Sequence, residues 1–254
     1  MLPAPEQFTL EEFRTRKFDY RPGHHVALFG PTGQAGKSTM SFALLESVVA
    51  RYPEIRPTTL VMKHSDRVVA HWTERLGFRE IPSWPPQRKL FGSKPRGYTL
   101  WPRQSLTDVE ADNELLEREF RKVITHNRGH APSVTFADEI YGLIAELNMR
   151  QLLTAVVTRD SIAGHGLWYA SQKPSGTQGV SIPGFFFNSA EHMFLSKDGE
   201  QRNRVRYGEI ACGIDPREIE RQTLALRPFS WLYVRRTGPQ WCVINAFDPS
   251  LAVY

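Results

Sequence analysis

The 254-residue chain has only two cysteines, Cys212 and Cys242. Two cysteines cannot form a disulfide framework or a four-ligand zinc site, so we expect two free thiols in a reducing compartment. The sequence lacks a run of about 20 apolar residues, and therefore no membrane-spanning helix is predicted. Residues 1–23 mix acids and bases without an apolar core, so no secretory signal is predicted. These absences predict a chain that resides in the cytoplasm without membrane insertion.

Neither sign of charge dominates the sequence. The chain has 32 Lys and Arg against 27 Asp and Glu, a formal net charge of +5, with 41% hydrophobic and 23% charged residues. This balance is typical of a globular protein and excludes a disordered or collagen-like chain. The net charge is compatible with an acidic partner such as nucleic acid but does not require one. The eight histidines show no spacing typical of metal ligands.

Short apolar segments alternate with amphipathic ones along the chain. After an N-terminal extension (1–23), the predicted strands are 24–29, 58–62, 133–137, 167–170, 191–195, 204–207, 230–234 and 241–246, the last two as a hairpin. The predicted helices are 38–49, 65–76 with Ser65 as N-cap, 108–125 and 149–159. We predict one α/β domain over 1–254, with a mostly parallel sheet flanked by helices and an antiparallel C-terminal extension within 200–254.

A glycine-rich turn joins the first apolar strand to the helix that follows. Its sequence, GPTGQAGKST, is similar to a Walker A loop, although Pro31 occupies the position of the first glycine, so that Gly30 fits only a loop one residue longer. Lys37 would reach the β- and γ-phosphates of ATP, and Ser38 would ligate Mg²⁺. The alternative is a turn that binds no ligand. The predicted nucleotide-binding residues are Gly30, Thr32, Gly33, Gln34, Ala35, Gly36, Lys37, Ser38 and Thr39.

An acidic pair follows the buried strand predicted at 133–137. Parallel α/β sheets bind ligands at the carboxyl ends of their strands, which is where Asp138 and Glu139 are expected. Asp138 would hold Mg²⁺, as a Walker B aspartate does, and Glu139 would polarise the attacking water. The alternative is an acidic helix N-terminus favoured by the helix dipole alone.

A third strand ends in a polar sequence, LWYASQKP, that contains Gln172. The segments GPTGQAGKST, SVTFADEI and GLWYASQKPSG together resemble the Walker A, Walker B and Thr/Ser-Gln-Arg/Lys-Pro motifs of the FtsK/HerA superfamily of DNA-pumping ATPases. The resemblance covers about residues 24–200. It implies a RecA-like P-loop core, with Lys37, Glu139 and Gln172 in catalysis. Spacing alone leaves open that Gln172 merely ends a strand.

The resemblance also implies a homo-oligomeric ring, a pentamer or hexamer, that hydrolyses ATP between subunits and translocates double-stranded DNA. The family supplies an arginine to the neighbouring subunit's nucleotide, and Arg159 is the candidate, with Arg150 and Arg103 as alternatives. Among the members of this superfamily, the viral genome-packaging ATPases are the ones that this compact chain most resembles. Such a motor would act in the host cytoplasm or at the packaging vertex of the virion, against a capsid or portal protein.

Two other functions remain open at this point. One is a different P-loop motor, such as a filamentous-phage assembly or terminase-like ATPase, against which the Ser-Gln-Lys-Pro sequence argues. The other is a scaffold that binds nucleotide without hydrolysis, which Pro31 leaves open.

Two basic segments are candidates for DNA contact. Residues 79–104 are rich in proline, aromatic residues and bases, and are predicted to be an irregular insertion with a short strand at 98–101. Arg202, Arg204 and Arg206 alternate just before and within the predicted strand 204–207, and 175–181 is predicted to be a loop of small residues. Phosphate-neutralising cations on loops suit a ring translocase. The alternative is that 79–104 contacts another subunit and that the arginines mark the solvent face of a strand.

Overall fold

The structure is a computed structural model, and it describes residues 4–31, 35–87, 94–172, 174–175, 181–208, 213–237 and 240–246. The strands of this part of the chain are β1 (Glu6–Thr9), β2 (Val26–Phe29), β3 (Arg56–Leu60), β4 (Phe78–Ile81), β5 (Gly97–Leu100), β6 (Ser133–Ala137), β7 (His165–Ser171), β8 (His192–Ser196), β9 (Ser230–Arg235) and β10 (Gln240–Asn245). Its helices are α1 (Leu10–Arg16), α2 (Lys37–Arg51), α3 (Arg67–Arg75), α4 (Val109–Gly129), α5 (Ile140–Ala145), α6 (Arg150–Arg159), α7 (Gly184–Ser189), α8 (Gln201–Tyr207) and α9 (Pro216–Ala225).

All the described strands belong to one sheet, in the order β1-β10-β9-β8-β2-β7-β6-β3-β5-β4. Of these, β9 runs antiparallel to both its neighbours, and every other described pair is parallel. The strands β2, β6, β7 and β8 are buried along their whole length, as expected for parallel strands covered on both faces. This confirms the predicted α/β fold and the C-terminal hairpin.

Helices cover both faces of the sheet and create two apolar cores. On one face, Phe42 of α2 stacks on Trp72 of α3 and meets Phe136 edge to face. On the other face, Phe120 of α4 and Leu153 of α6 pack with Tyr169. Within the described residues, no helix has both the length and the hydropathy needed to cross a membrane.

The N-terminal extension is part of the sheet. Residues Glu6–Thr9 of β1 pair in parallel with β10, and Thr9 and Glu12 form a capping box at the start of α1. Phe13 of α1 is fully buried against Tyr233 and Phe194. The segment therefore covers one end of the sheet rather than preceding the domain as a separate arm.

Segment 79–104 is more regular than the mostly irregular insertion that the sequence predicted. Its described ends contribute β4 and β5, which form the other edge of the sheet beside β3. A Cβ at Gly97 would lie 2.7 Å from the Pro57 carbonyl oxygen, so glycine allows β5 to approach β3 closely. The short strand predicted at 98–101 corresponds to β5, whereas the proline-rich composition hid β4. Residues 88–93 lie outside the described part of the chain.

Residues 201–207 form helix α8, so the prediction of a strand at 204–207 is wrong. The alternation of arginines resembled a two-residue period, but the buried residues Asn203 and Tyr207 are four apart, which is a helical spacing. The Arg204 guanidinium donates to the Asp198 and Gly199 carbonyls and pairs with Glu220 of α9. The C-terminal extension accordingly contains α8 and α9 as well as β9 and β10.

Other boundaries differ modestly. Helix α3 is capped by Asp66 rather than Ser65, because the Asp66 carboxylate accepts from the backbone N–H groups of Val68 and Val69. Helix α4 continues to Gly129, four residues past its predicted end, and its buried Asn127 donates to Thr135 in β6.

Buried histidines lie near the amino ends of the central strands. His25 Nδ1 accepts from the Leu167 backbone N–H at 2.9 Å. Burial lowers the pKa of His25 to about 4, an effect that nearby His165 reinforces and Asp160 opposes. Burial also lowers the pKa values of His165 and His192. These side chains are therefore neutral in the folded protein at pH 7.

The histidines predict a loss of stability in acid. Unfolded His25 takes up a proton near pH 6.5 and folded His25 only near pH 4, so its contribution is present above pH 6.5 and declines as the pH falls toward 4. For His25 this is a loss of about 2 kcal/mol between pH 7 and pH 5. His25→Asn keeps an acceptor for Leu167 and is expected to flatten the decline in denaturant unfolding. The exposed-site control His71→Gln should leave it unchanged, and an equal pH slope in His25→Asn and the wild type contradicts the prediction.

Candidate nucleotide-binding site

The three sequence motifs meet at one edge of the sheet. Strand β7 lies between β2 and β6, and all three run in the same direction. Phe29 at the end of β2 is opposite Ser171 at the end of β7, and Ala137 at the end of β6 is opposite Tyr169. The turn after β2, the acidic pair after β6 and Gln172 after β7 are therefore adjacent.

Glycine is required at both ends of the turn between β2 and α2. A Cβ at Gly30 would lie 2.1 Å from Ser196 Oγ in β8, and the Gly30 N–H donates to the Ser171 carbonyl. Gly36 is the N-cap of α2 and has φ +66°, a left-handed conformation that favours glycine. Both ends of the turn are therefore positions that favour glycine, and the assignment of Gly30 as the first glycine of a Walker A loop stays a prediction. Thr32, Gly33 and Gln34 lie outside the described residues.

Lys37 begins α2 and folds back over the turn. Its ammonium donates to the carbonyls of Gly30 at 2.8 Å and Pro31 at 3.1 Å. Burial lowers its pKa, an effect opposed by the nearby carboxylates of Glu139 and Asp138. Ala35 is buried beneath the turn, and Ser38 and Thr39 occupy the first turn of α2 with partial exposure. A cation and unpaired backbone N–H groups at a helix N-terminus are an arrangement that binds phosphate.

Asp138 is contacted from two sides. Ser38 donates its hydroxyl to Asp138 Oδ1 at 2.7 Å, and the Lys63 ammonium lies 3.6 Å from Oδ2. Lys63 also contacts Asp66 at 2.7 Å. A hydroxyl and a single carboxylate are hard oxygen donors, which fit Mg²⁺ held mainly by substrate phosphates and water. No group of three His, Cys, Asp or Glu suited to a metal occurs in the described residues.

Glu139 is held in a fixed position beside this pair. Its carboxylate accepts from the Ser171 hydroxyl at 3.0 Å and from the Tyr141 backbone N–H at 3.2 Å, which caps α5. Burial raises its pKa, and the Ser171 hydrogen bond partly opposes that shift. A carboxylate with a raised pKa is a better proton acceptor than an exposed one. Gln172 follows Ser171 directly and is partly exposed at the same edge.

Arg159 does not join these residues within one chain. It is exposed on the last turn of α6, where its neighbour Asp160 pairs with Arg128 and His165 near the amino ends of the strands. It therefore lies at the edge opposite the turn. Arg150, which begins α6, and Arg103, which follows β5, are exposed and nearer the carboxyl edge.

The sequence analysis missed two residues of the site. Lys63 comes shortly after β3, so the rule that identified Asp138, a polar side chain just past a buried strand, was available for it as well. Ser171 belongs to the third motif, but its hydrogen bond to Glu139 depends on the pairing of β7 with β6. Because the order of the strands in the sheet was not predicted, the Ser171–Glu139 hydrogen bond could not be predicted either.

Comparison with known proteins supports the fold and no closer relation. No family model and no curated protein matches the sequence. Among solved structures, the genome packaging NTPase B204 of Sulfolobus turreted icosahedral virus 2 superposes with a TM-score of 0.61 at 12% identity, over 90% of this chain and 98% of that one. The pCW3 conjugation coupling protein TcpA gives 0.52 at 13% identity, over 90% and 62% of the two chains.

The cytoplasmic domain of the Thermomonospora curvata type VII secretion ATPase EccC gives a TM-score of 0.51 at 15% identity, over 87% of this chain and 25% of that one. These neighbours are FtsK/HerA-type P-loop ATPases. At such identities the likeness establishes architecture alone. The chain therefore has the fold of the FtsK/HerA-type P-loop ATPases.

Proposed function

We propose that the chain hydrolyses ATP as one subunit of a ring that translocates double-stranded DNA and packages a viral genome into a preformed capsid. The observation that carries the proposal is the meeting of Lys37, the Ser38–Asp138 pair and Glu139 at one sheet edge. The named functions of the structural neighbours support it, since B204 is a genome packaging NTPase and has been solved with AMPPCP and ATP-gammaS.

Each side chain has a distinct role in this proposal. The N-terminus of α2 binds the phosphates, and Lys37 leaves the Gly30 and Pro31 carbonyls to pair with the β- and γ-phosphates. Ser38 and Asp138 hold Mg²⁺, which when bound neutralises phosphate charge. Glu139 orients the attacking water and accepts its proton, and the Ser171 hydroxyl keeps its carboxylate in place. Gln172 donates its amide to the water or the γ-phosphate.

The proposal predicts that Glu139→Gln separates binding from hydrolysis. The variant should bind ATP like the wild type yet hydrolyse it about 100-fold or more slowly, because the amide cannot accept a proton. Phosphate release measured with and without double-stranded DNA, together with calorimetric ATP titration, tests this. Glu146→Gln is the matched control, since Glu146 is exposed at the end of the same helix. Lys37→Ala should lose ATP binding as well as hydrolysis. A Glu139→Gln variant that hydrolyses ATP as fast as the wild type contradicts the role of Glu139 as proton acceptor.

A site shared between subunits requires an arginine from the neighbour, and Arg159 is the residue proposed. Its position on an exposed helix end away from its own turn suits action on another subunit. Such an arginine contributes about 10³-fold or more to turnover. Arg159→Ala should therefore bind ATP but turn it over at least about 1000-fold more slowly.

Mixing Arg159→Ala with Lys37→Ala, which should not bind ATP, distinguishes action between subunits from action within one. In the mixture, Lys37→Ala subunits offer Arg159 to nucleotide bound by their Arg159→Ala neighbours, so partial activity should return. Arg150→Ala and Arg103→Ala are the comparison variants. If Arg159→Ala keeps full ATPase activity and Arg150→Ala or Arg103→Ala loses it, the arginine supplied to the neighbouring subunit is that other residue.

DNA contact is proposed for the exposed side of α8. Arg204 and Arg206 are engaged within the chain, Arg204 with Glu220 and Arg206 over the Phe187 ring, whereas Arg202 is exposed. Arg202→Ala should weaken DNA binding with no loss of stability and reduce the slope of log affinity against log salt by about 1. Arg16→Ala, at an exposed position near the end of α1, is the equal-charge control. An identical salt slope in the two variants excludes Arg202 as a phosphate contact.

A further inference from the structure

Phe229 lies beside the phosphate-binding turn although it is almost 200 residues away in sequence. It occupies the turn between α9 and β9, at the sheet edge that carries the site, because β9 runs antiparallel to β8. A Cβ built on Gly36 would lie 3.4 Å from Cδ1 of Phe229, so the ring is in van der Waals reach of the α2 N-cap. The C-terminal extension thus contributes a side chain to the nucleotide edge.

The backbone of Phe229 is in an unusual conformation for its residue type. Its φ is +59°, in the left-handed region that glycine and asparagine adopt readily and a bulky side chain does not. Hydrogen bonds fix this conformation from both sides: Ser230 N–H donates to the Arg227 carbonyl, and Ala246 N–H donates to the Phe229 carbonyl. Strain held in this way concentrates at ligand-binding positions.

The ring is also exposed, as are the adjacent Arg227 and Pro228, whereas the apolar residues on either side of this turn are buried. Phe229 retains 38% of its surface, whereas Leu226 and Trp231 are 4% and 1% exposed. A glycine would relieve the backbone strain, and a polar side chain would suit the exposure better. The strained backbone and the exposed apolar ring occur in one residue that borders a phosphate-binding helix end. Together they point to a ligand that covers the ring.

We propose that the ring of Phe229 stacks on the nucleobase of the bound nucleotide. A nucleotide whose phosphates lie at the N-terminus of α2 extends its base away from the turn, and Phe229 offers an aromatic face there. Stacking recognises the flat face of a base and not its edge, so this contact favours purine nucleotides without distinguishing adenine from guanine. The inference rests on the proposed ATP site and assigns the recognition of the base within it.

The test compares the binding of nucleotides with the binding of a triphosphate chain that has no base. Binding of ATP, GTP and inorganic tripolyphosphate is measured by calorimetry for the wild type, Phe229→Ala, Phe229→Gly and Phe229→Tyr. Loss of the ring should weaken ATP and GTP about tenfold or more and leave tripolyphosphate unchanged, since one stacked base contributes on that scale. Phe229→Tyr should restore nucleotide binding. Phe229→Gly removes the ring and the strain together, so thermal unfolding should show it at least as stable as Phe229→Ala.

The possible outcomes distinguish a failure of the stacking role of Phe229 from a failure of the proposed ATP site. Unchanged ATP binding in Phe229→Ala and Phe229→Gly overturns the stacking role, as does an equal loss of ATP and tripolyphosphate, which assigns the ring to support of the turn. A wild-type chain that binds neither ligand overturns the proposed ATP site and the inference together. Lys37→Ala, which should lose both ligands, is the control for phosphate binding.

Discussion

The parallel pairing of β2, β7 and β6 is the constraint on which the site depends. Three adjacent strands in one direction end at one edge, so residues 30, 138 and 171, far apart in sequence, become neighbours. The register is specified by burial, because a slip of one residue would reverse the side chains on both covered faces. Two hydrogen bonds then join the strands through their polar ends: Gly30 N–H to the Ser171 carbonyl, and the Ser171 hydroxyl to Glu139.

The charges at this edge compensate one another before any nucleotide binds. Lys63 faces Asp138 from one side, the Ser38 hydroxyl contacts it from the other, and Lys37 is satisfied by backbone carbonyls. Each of these contacts occupies a group that the proposed function assigns to phosphate or Mg²⁺. Binding would therefore exchange internal partners for ligand partners rather than fill a site of uncompensated charge, which keeps buried ionisable groups paired in both states.

Much of this arrangement follows from local sequence, and the remainder depends on strand order. The runs before Gly30, Asp138 and Gln172 are apolar and short, so the strands and the polar residues that end them were predictable. The short strand predicted at 98–101 corresponds to β5, whereas β4 was hidden by proline-rich sequence. Helix α8 was hidden by an alternation of arginines, although its buried residues Asn203 and Tyr207 keep a helical spacing. Lys63 follows β3 closely enough for the same local rule to have found it, whereas Phe229 acquires meaning only once β9 is placed in the sheet.

The C-terminal hairpin shows how an addition to the core reaches the site. Strand β9 extends the sheet beyond β8, and its antiparallel direction returns the start of the strand to the nucleotide edge. A parallel β9 would begin at the opposite edge, near the buried histidines, and Phe229 would lie far from Gly36. Both residues have positive φ, and only one is glycine. The positive φ of Gly36 is explained by the turn into α2. The positive φ of Phe229 instead directs an apolar ring toward the same end of α2. For this reason we assign the hairpin to the proposed nucleotide site as well as to the sheet.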